Sequence, residues 1–579
     1  MPVAKSLEAK RAWWKEACVY QIYPASFKDS SGDGIGDIPG ILSKVDYIKN
    51  IGVDAVWLCP AYKSPQVDMG YDIADYKQID KRYGTVADVE ELIKRLHSRG
   101  IKFLMDLVVN HTSNQHEWFK SAISSKDSEF RNFYTWKKPK YDAQGNRQPP
   151  NNWSAAFSGS AWTYDEKSDE YYLNLFCPEQ PDLNWEHPPV VEAVHDIMRF
   201  WLDKGVDGFR MDVINFISKD TSFPDAKITF PKDKYQPGTE HYAAGPRLHE
   251  FLRGLGSILK EYDACSVGEM PGVGNVNDII QAVGYDKGEL NMIFHFEIVD
   301  MDHGVTGKYS PRKWQMSELK SLVNKWQTFM INNDGWNALY LENHDQARSV
   351  SRFTSDEPEY HGYAAKMLAT FLALQSGTVF LYQGQELGMT SVPTSWPISD
   401  YKDLECLNHW KEQLDLYPND KEHLKATLEE YQKKSRDNAR IPMQWDASPQ
   451  AGFTTGNPWM RVHDNYKTLN AAAQISTPGS VFRYWQSVLK LRKSYRDIFI
   501  YGDFDMQVPK DEDVFAYTRS FQDQKIYVIC NFRKEATSFE LPAGMDVKSA
   551  TVLLSNYEVS SVEKNTIMLR SFETLVVLA

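Results

Sequence analysis

Carboxylates stand at the ends of three short apolar runs. Asp212 closes Gly208-Phe209-Arg210-Met211-Asp212, Glu269 closes Ser266-Val267-Gly268-Glu269, and Asp345 follows Leu339-Tyr340-Leu341-Glu342-Asn343-His344. Each run has the length of a buried parallel strand. A carboxylate just past the C-terminal end of such a strand sits at the mouth of an α/β barrel, where the loops carry the chemistry. Two or three carboxylates converging there form the set that breaks a glycosidic bond.

The islands differ in what surrounds each acid. Arg210 lies two residues before Asp212, on the same face of the strand, and is expected to keep Asp212 ionised, as a nucleophile requires. A buried Arg–Asp pair serving only the barrel wall is the plainer reading of the same residues. Glu269 sits in an apolar run with little beside it to hold a charge, so desolvation should raise it toward a proton donor's range. A helix cap is its plainer reading. Asp345, after Asn343-His344, is placed to grip hydroxyls. A fourth island, Asp106-Leu107-Val108-Val109-Asn110-His111, ends on a lone His that by itself reads as a structural hydrogen-bonder. A separate loop runs Asp29-Ser30-Ser31-Gly32-Asp33-Gly34-Ile35-Gly36-Asp37. Oxygen donors at alternate positions, Asp29, Ser31, Asp33, Ile35 and Asp37, suit a hard cation such as Ca²⁺. The loop lacks the Glu that an EF-hand carries at its twelfth position, and a metal-free acidic turn is the alternative.

Eight strand-like runs must position these groups: residues 18–23, 54–59, 102–109, 208–213, 265–269, 292–296, 338–341 and 378–382. Helical stretches separate them, as at 41–51 and 86–98. Alternation with right-handed crossovers gives a parallel sheet, and eight units close it. The expected fold class is therefore α/β, a TIM (β/α)8 barrel with an inserted domain after strand 3 and an all-β C-terminal domain. Residues 1–109 and 178–500 form the barrel. Residues 110–177, rich in Trp, Asn and Pro, are too long for a simple loop and form the inserted small domain. Residues 216–247 look irregular and add a further lip. Residues 384–477 make a second long excursion after the eighth strand. From 501 to 579 short alternating strands with turns indicate a β-sandwich.

Composition narrows the function classes. The chain has 579 residues, is 42% hydrophobic and 25% charged, and carries a net charge of −13 without a long basic run. Nucleic acid and anionic membranes are poor partners for such a surface. No run of eighteen apolar residues occurs, so no membrane span is expected. The first eleven residues lack the apolar core of a signal peptide. Six scattered cysteines without paired spacing read as free thiols in a reducing compartment, hence a cytoplasmic chain, taken as a monomer. The aromatic fraction of 13% is high. Most rings serve the core, but a sugar cleft also uses them as stacking faces.

Taken together and in order, 106–111, 208–212, 268–269 and 343–345 resemble the four signature regions of the α-amylase family of glycoside hydrolases. The resemblance spans nearly the whole chain, and within the family it is strongest to the oligo-1,6-glucosidase and α-glucosidase branch. Gln180-Pro181-Asp182-Leu183-Asn184 is similar to that branch's extra signature, and Asp68-Met69-Gly70-Tyr71-Asp72 to its non-reducing-end pocket. The resemblance implies a retaining double displacement. Asp212 is the nucleophile, Glu269 the acid and then the base, and Asp345 the group that holds the sugar 2- and 3-hydroxyls. It further implies that Asp68 grips hydroxyls, that Tyr71 stacks on the ring, and that Arg436 binds the terminal glucose. His111, Arg210 and His344 steady the same sugar, and Phe176 joins the substrate-binding set. Val213 would face the rim of the acceptor subsite, where Val accompanies α-1,6 and Thr α-1,4 selectivity. The loop 29–37 resembles the branch's Ca²⁺ site, with Ser31 where Asn is usual. Small oligosaccharides or disaccharides are the implied partners, and no organic cofactor is implied.

The rivals are a glucosyl-transferring sucrose isomerase, a trehalose-6-phosphate hydrolase and a non-enzymatic transporter subunit. The isomerase branch carries an Arg-rich acidic loop after strand six, and residues 314–326 hold no such cluster. The hydrolase would need a basic phosphate pocket. The transporter subunit would need a membrane span and broken carboxylates, whereas all three carboxylates are present.

Overall fold

The computed structural model describes residues 11–273, 275–284, 288–305, 307–541, 545, 550–558 and 566–579. The start of the chain, read above as lacking a signal peptide, lies in residues 1–10 and so almost wholly outside the described residues.

Eight parallel strands form the central sheet: β1 (Cys18–Ile22), β2 (Ala55–Leu58), β3 (Lys102–Leu107), β4 (Gly208–Met211), β5 (Cys265–Glu269), β6 (Met292–Phe294), β7 (Ala338–Leu339) and β8 (Thr378–Tyr382). Their order is β6-β5-β4-β3-β2-β1-β8-β7, all adjacent pairs parallel. A parallel bridge from Ile293 to Asn337 joins β6 to the residue before β7 and completes the ring. Almost every strand residue is buried, which is why these runs read as continuous apolar stretches instead of alternating ones. The helices between them start where the sequence caps them. Thr85 and Asp88 make a reciprocal capping box ahead of the helix Val86–His97, whose Val89, Leu92, Ile93 and Leu96 pack inward at helical spacing.

Several strands end earlier than their sequence suggests. β3 stops at Leu107, β4 at Met211, β6 at Phe294 and β7 at Leu339. The residues just beyond turn out of the ladder to line the mouth. Val213 even adopts a left-handed backbone, φ 33°, ψ 44°, which no strand continues through. The loop after β6 also differs from the sequence reading. Gln315 and Glu318 cap a helix at Met316–Asn332, so most of 314–326 is helical. The connection from β6 is instead 295–315, and it carries Asp300, Asp302, Lys308 and Arg312.

Between β3 and β4 the inserted domain forms a three-stranded antiparallel sheet from Trp136–Lys137, Glu170–Leu173 and Trp162–Asp165. It does not stand alone. Trp153 bridges Gln236, and the side-chain amide of Asn152 donates to the Ala226 carbonyl, so the irregular stretch after β4 completes it. The chain ends in a five-stranded antiparallel sheet, β9 (Asp503–Gln507), β10 (Val514–Phe521), β11 (Gln524–Asn531), β12 (Thr551–Ser555) and β13 (Thr574–Leu578). Alternation along β10 and β11 sends Phe515, Tyr517, Ile526 and Val528 into the main core, and Val514, Ala516, Tyr527 and Ile529 into a separate small core. Among the described residues no helix is long and apolar enough to cross a membrane.

Candidate active site

Arg210, on β4, is the centre of the barrel mouth. It is 1% exposed, and three carboxylates from three strands close on it. Its Nη1 lies 2.8 Å from Asp106 Oδ1 and 2.6 Å from Asp212 Oδ1, and its Nη2 lies 2.6 Å from Glu269 Oε2. Asp106 also accepts from Trp57 Nε1 at 2.9 Å, which fixes its orientation. Burial pushes Asp212 up to about 6 against the pull of Arg210. Burial pushes Glu269 further, to about 8, although Arg210 and the Val213 N–H oppose it. One guanidinium is too little charge for three buried carboxylates. Near neutral pH, Asp212 is mostly ionised and Glu269 mostly protonated, the split that a nucleophile and an acid need.

The backbone beside them is shaped for close approach. A Cβ on Gly268 would sit 2.5 Å from Leu290 Cδ1 and 3.1 Å from Ile214 Cγ2, so only glycine lets the turn after Asp212 pack on β5. That turn brings the Val213 N–H to 3.1 Å from Glu269 Oε2. The Val213 side chain is 7% exposed and belongs to a cluster with Trp153, Phe216 and the partly buried Phe176, on the inserted-domain side of the mouth.

A second group forms around Asp345. Arg440 Nη2 lies 2.7 Å and Arg436 Nη1 3.4 Å from Asp345 Oδ1. Arg436 reaches Asp68 at 3.0 Å and Asp403 at 2.5 Å. Burial pushes Asp345 up, yet the facing His344 and the guanidiniums of Arg436 and Arg440 outweigh it and hold it well below the ordinary range. Burial drives His344 itself down to about 3, so at neutral pH the guanidiniums hold the charge. Gln21 Nε2 lies 2.8 Å from His344 Nδ1, which assigns the ring proton to Nε2, 3.1 Å from Asp345 Oδ2. That approach is electrostatic, since the Nε2 makes no aligned hydrogen bond.

Tyr71 stacks on the His344 ring at 5.0 Å and 4°, and its hydroxyl donates to Asp106 at 3.3 Å. His111, kept neutral by burial, places Nε2 3.0 Å from the Tyr71 carbonyl and 3.2 Å from Gln180 Nε2, which also donates to Asp68 at 3.1 Å. Phe176 tilts against His111 at 5.0 Å between ring centres. All the residues singled out for catalysis and substrate binding therefore lie in one connected network at the C-terminal ends of the strands. Trp57, Gln21, Asp106, Gln180, Arg440 and Asp403 went unnamed as site residues in the sequence. Arg440 was open to inference, because it lies four residues from Arg436 across one helical turn. Asp403 carried no local signal and joins only through the fold.

The loop 29–37 lies apart, against residues 452–458. Asp29 Oδ1 accepts from the Ser31 and Gly32 N–H groups, each at 2.8 Å, and its Oδ2 from the Gly34 N–H at 2.8 Å and from the Thr454 hydroxyl at 2.5 Å. Asp37 accepts from Ser30 and Gly40. The loop is thus closed by its own hydrogen bonds. Among the described residues, no three His, Cys, Asp or Glu side chains converge tightly enough to hold a metal.

Residues 21–502 match the family model for the alpha-amylase catalytic domain, and 514–576 that for the alpha-amylase SusG C-terminal domain. The chain is 50% identical over 561 residues to an alpha-glucosidase of Schizosaccharomyces pombe, covering 96% of each chain. It is 49% identical to an oligo-1,6-glucosidase of Parageobacillus thermoglucosidasius, covering 98% of this chain and 99% of the relative. The crystal structure of Bacillus licheniformis trehalose-6-phosphate hydrolase superposes with a TM-score of 0.90 at 42% identity, covering 98% of this chain and all of that one. On its barrel, its strand-end carboxylates and this breadth of similarity, the chain belongs to the alpha-amylase family of glycoside hydrolases.

Proposed function

We propose that this chain is a retaining, exo-acting α-glucosidase that releases glucose from the non-reducing end of short α-glucosides, with isomaltose-type α-1,6 links, maltose and sucrose as substrates. The carrying observation is the single Arg210 guanidinium shared by Asp212 and Glu269, which holds the two carboxyls close, while burial raises Glu269 above Asp212. A close pair, roughly 5–5.5 Å apart, is the retaining geometry. Asp212 attacks C1 as Glu269 passes its proton to the departing glycosidic oxygen, giving a glucosyl ester. Glu269, now a carboxylate, takes a proton from water, which attacks C1 and frees Asp212. Asp345, held ionised, accepts from the sugar 2- and 3-hydroxyls. The Asp68–Arg436–Asp403 group closes the pocket behind the terminal glucose, which supports exo-action.

Initial rates on isomaltose, maltose, sucrose, trehalose 6-phosphate and soluble starch test this reading. Turnover of the disaccharides with little attack on starch is the expected result, and efficient internal cleavage of starch would overturn it. The similarity to trehalose-6-phosphate hydrolases keeps phosphorylated trehalose as the second reading, and its preference in the same panel would select it.

Calcium at Asp29, Ser31, Asp33, the Ile35 carbonyl and Asp37 is part of the proposal, supported by an all-oxygen donor set. The six cysteines are buried and free, which supports a reducing, cytoplasmic setting. We take the chain as a monomer, which sedimentation or light scattering measures directly.

A further inference from the structure

Val213, directly after the nucleophile, has φ 33° and ψ 44°. A β-branched residue rarely takes this conformation, and it persists only where its surroundings enforce it. The turn directs the Val213 N–H to Glu269 Oε2 at 3.1 Å. On one side the turn is fastened to the acid's own segment. The Asn215 side-chain amide donates to the Pro271 carbonyl at 2.7 Å, and Ile214 packs where Gly268 has no Cβ.

On the other side stands Lys219, 8% exposed. Its ammonium donates to the Phe216 carbonyl at 2.6 Å and to Asn110 Oδ1 at 2.9 Å, and pairs with Asp182 Oδ2 at 3.0 Å. These acceptors belong to three different segments: the turn itself, the end of β3 and the edge of the inserted domain. Asp182 is fixed in turn by the Leu175 N–H at 2.8 Å and by Asn110 Nδ2 at 3.1 Å. A buried cation tying three segments together over-determines the turn between them.

We propose that Lys219 is a positioning residue for the acid–base group. By pinning the Phe216 carbonyl to Asp182 and Asn110, it holds the left-handed turn that aims the Val213 N–H at Glu269. The inference rests on Glu269 as the acid. The groups facing Glu269 are Arg210, Asp212, Asp345, Asp106 and Tyr340, and the Val213 N–H is an uncharged donor to it. As Glu269 releases its proton, that N–H stabilises the developing carboxylate. Losing it makes Glu269 a weaker acid, which slows substrates with poor leaving groups most and moves the basic limb of the pH profile upward.

Lys219→Gln and Asp182→Asn test this. Each is expected to lower kcat/KM on isomaltose about tenfold or more, and on p-nitrophenyl α-glucoside by less than about threefold, with the basic limb displaced to higher pH. Adding Val213→Gly to Lys219→Gln removes the strain that the clamp opposes, so the limb should return toward the wild-type position. Should Lys219→Gln fail to fold, Lys219→Arg carries the same readout, because a planar fork cannot place donors on the same three acceptors. Folded variants with equal losses on both substrates and an unmoved limb overturn the proposal. Glu269→Gln separates the two levels. If the basic limb survives in Glu269→Gln, the acid assignment fails and takes this inference with it. If the limb belongs to Glu269 yet ignores Lys219 and Asp182, only this inference fails.

Discussion

The two halves of the site are both built from carboxylates and differ in how many guanidiniums meet them. Around Arg210, one guanidinium faces Asp106, Asp212 and Glu269. Around Asp345, the guanidiniums of Arg436 and Arg440 face Asp68, Asp345 and Asp403. Both halves are buried, so desolvation raises every carboxylate in them. In the first half the deficit of cations lets desolvation win and leaves a proton on Glu269. In the second, two cations converge on Asp345 and it stays charged. Chemistry and grip thus use the same residue types, separated by how many arginines the fold supplies.

The largest break in this comparison is removal of the reacting groups. Asp212→Ala should abolish turnover on every substrate. Glu269→Gln should cost about 10²–10⁴-fold on isomaltose and far less on p-nitrophenyl α-glucoside, whose leaving group needs little protonation. Equal losses on both would remove Glu269 from the acid role. In the wild type the two groups should give a bell-shaped kcat/KM profile. Activity falls below pH about 6 as Asp212 takes up a proton, and above about 8 as Glu269 loses its own. The limbs belong to the pair, not to either residue alone. A flat profile between pH 5 and 9 would contradict the charge deficit.

The next test equalises the halves. Arg440→Leu leaves Asp345 with Arg436 as its one close guanidinium. We expect a loss of about 100-fold in kcat/KM, or about 2.7 kcal/mol at about 1.4 kcal/mol per decade, carried largely by KM. The low pKa of Asp345 should rise with the loss of a cation. A variant with unchanged KM would place Arg440 outside the grip.

A smaller effect is expected at Val213. Val213→Thr should reduce the isomaltose-to-maltose ratio of kcat/KM by about tenfold, within the roughly 1–3 kcal/mol that one side chain contributes to discrimination. Its near-burial among Trp153, Phe176 and Phe216 means that it acts by shaping the wall. Equal losses on both disaccharides would show that position 213 does not select linkage. The smallest effect belongs to the loop 29–37, whose hydrogen bonds already close it. Chelation should lower Tm by only a few degrees, in proportion to calcium affinity. A calorimetric scan with and without chelator measures this, and no change in either Tm or calcium binding would remove the ion from the account.

Much of this was legible in the chain. Asp212, Glu269 and Asp345 announced themselves as acids ending apolar runs, and the same runs located all eight strands. The turn at Val213 was not legible, because Val favours strands and the run reads smoothly through it. Packing on Gly268 and the clamp from Lys219 override that local preference. The connection after β6 was misplaced for a different reason. Its helix start is marked by Gln315 and Glu318, a weaker cap than Ser or Thr would give. Asp403 was invisible, since nothing near it repeats or alternates and its partners Arg436 and Arg440 lie more than thirty residues on.

The sequence by itself determined which residues carry charge and that they stand at strand ends, because burial on both faces writes a parallel strand as an unbroken apolar run. Only the tertiary structure decided which carboxylate keeps its proton. That outcome depends on burial and on cations brought in from far along the chain, Arg210 to Glu269 across two strands and Arg440 to Asp345 across the barrel mouth. Coulomb interactions act through space at these distances, and sequence separation does not record them.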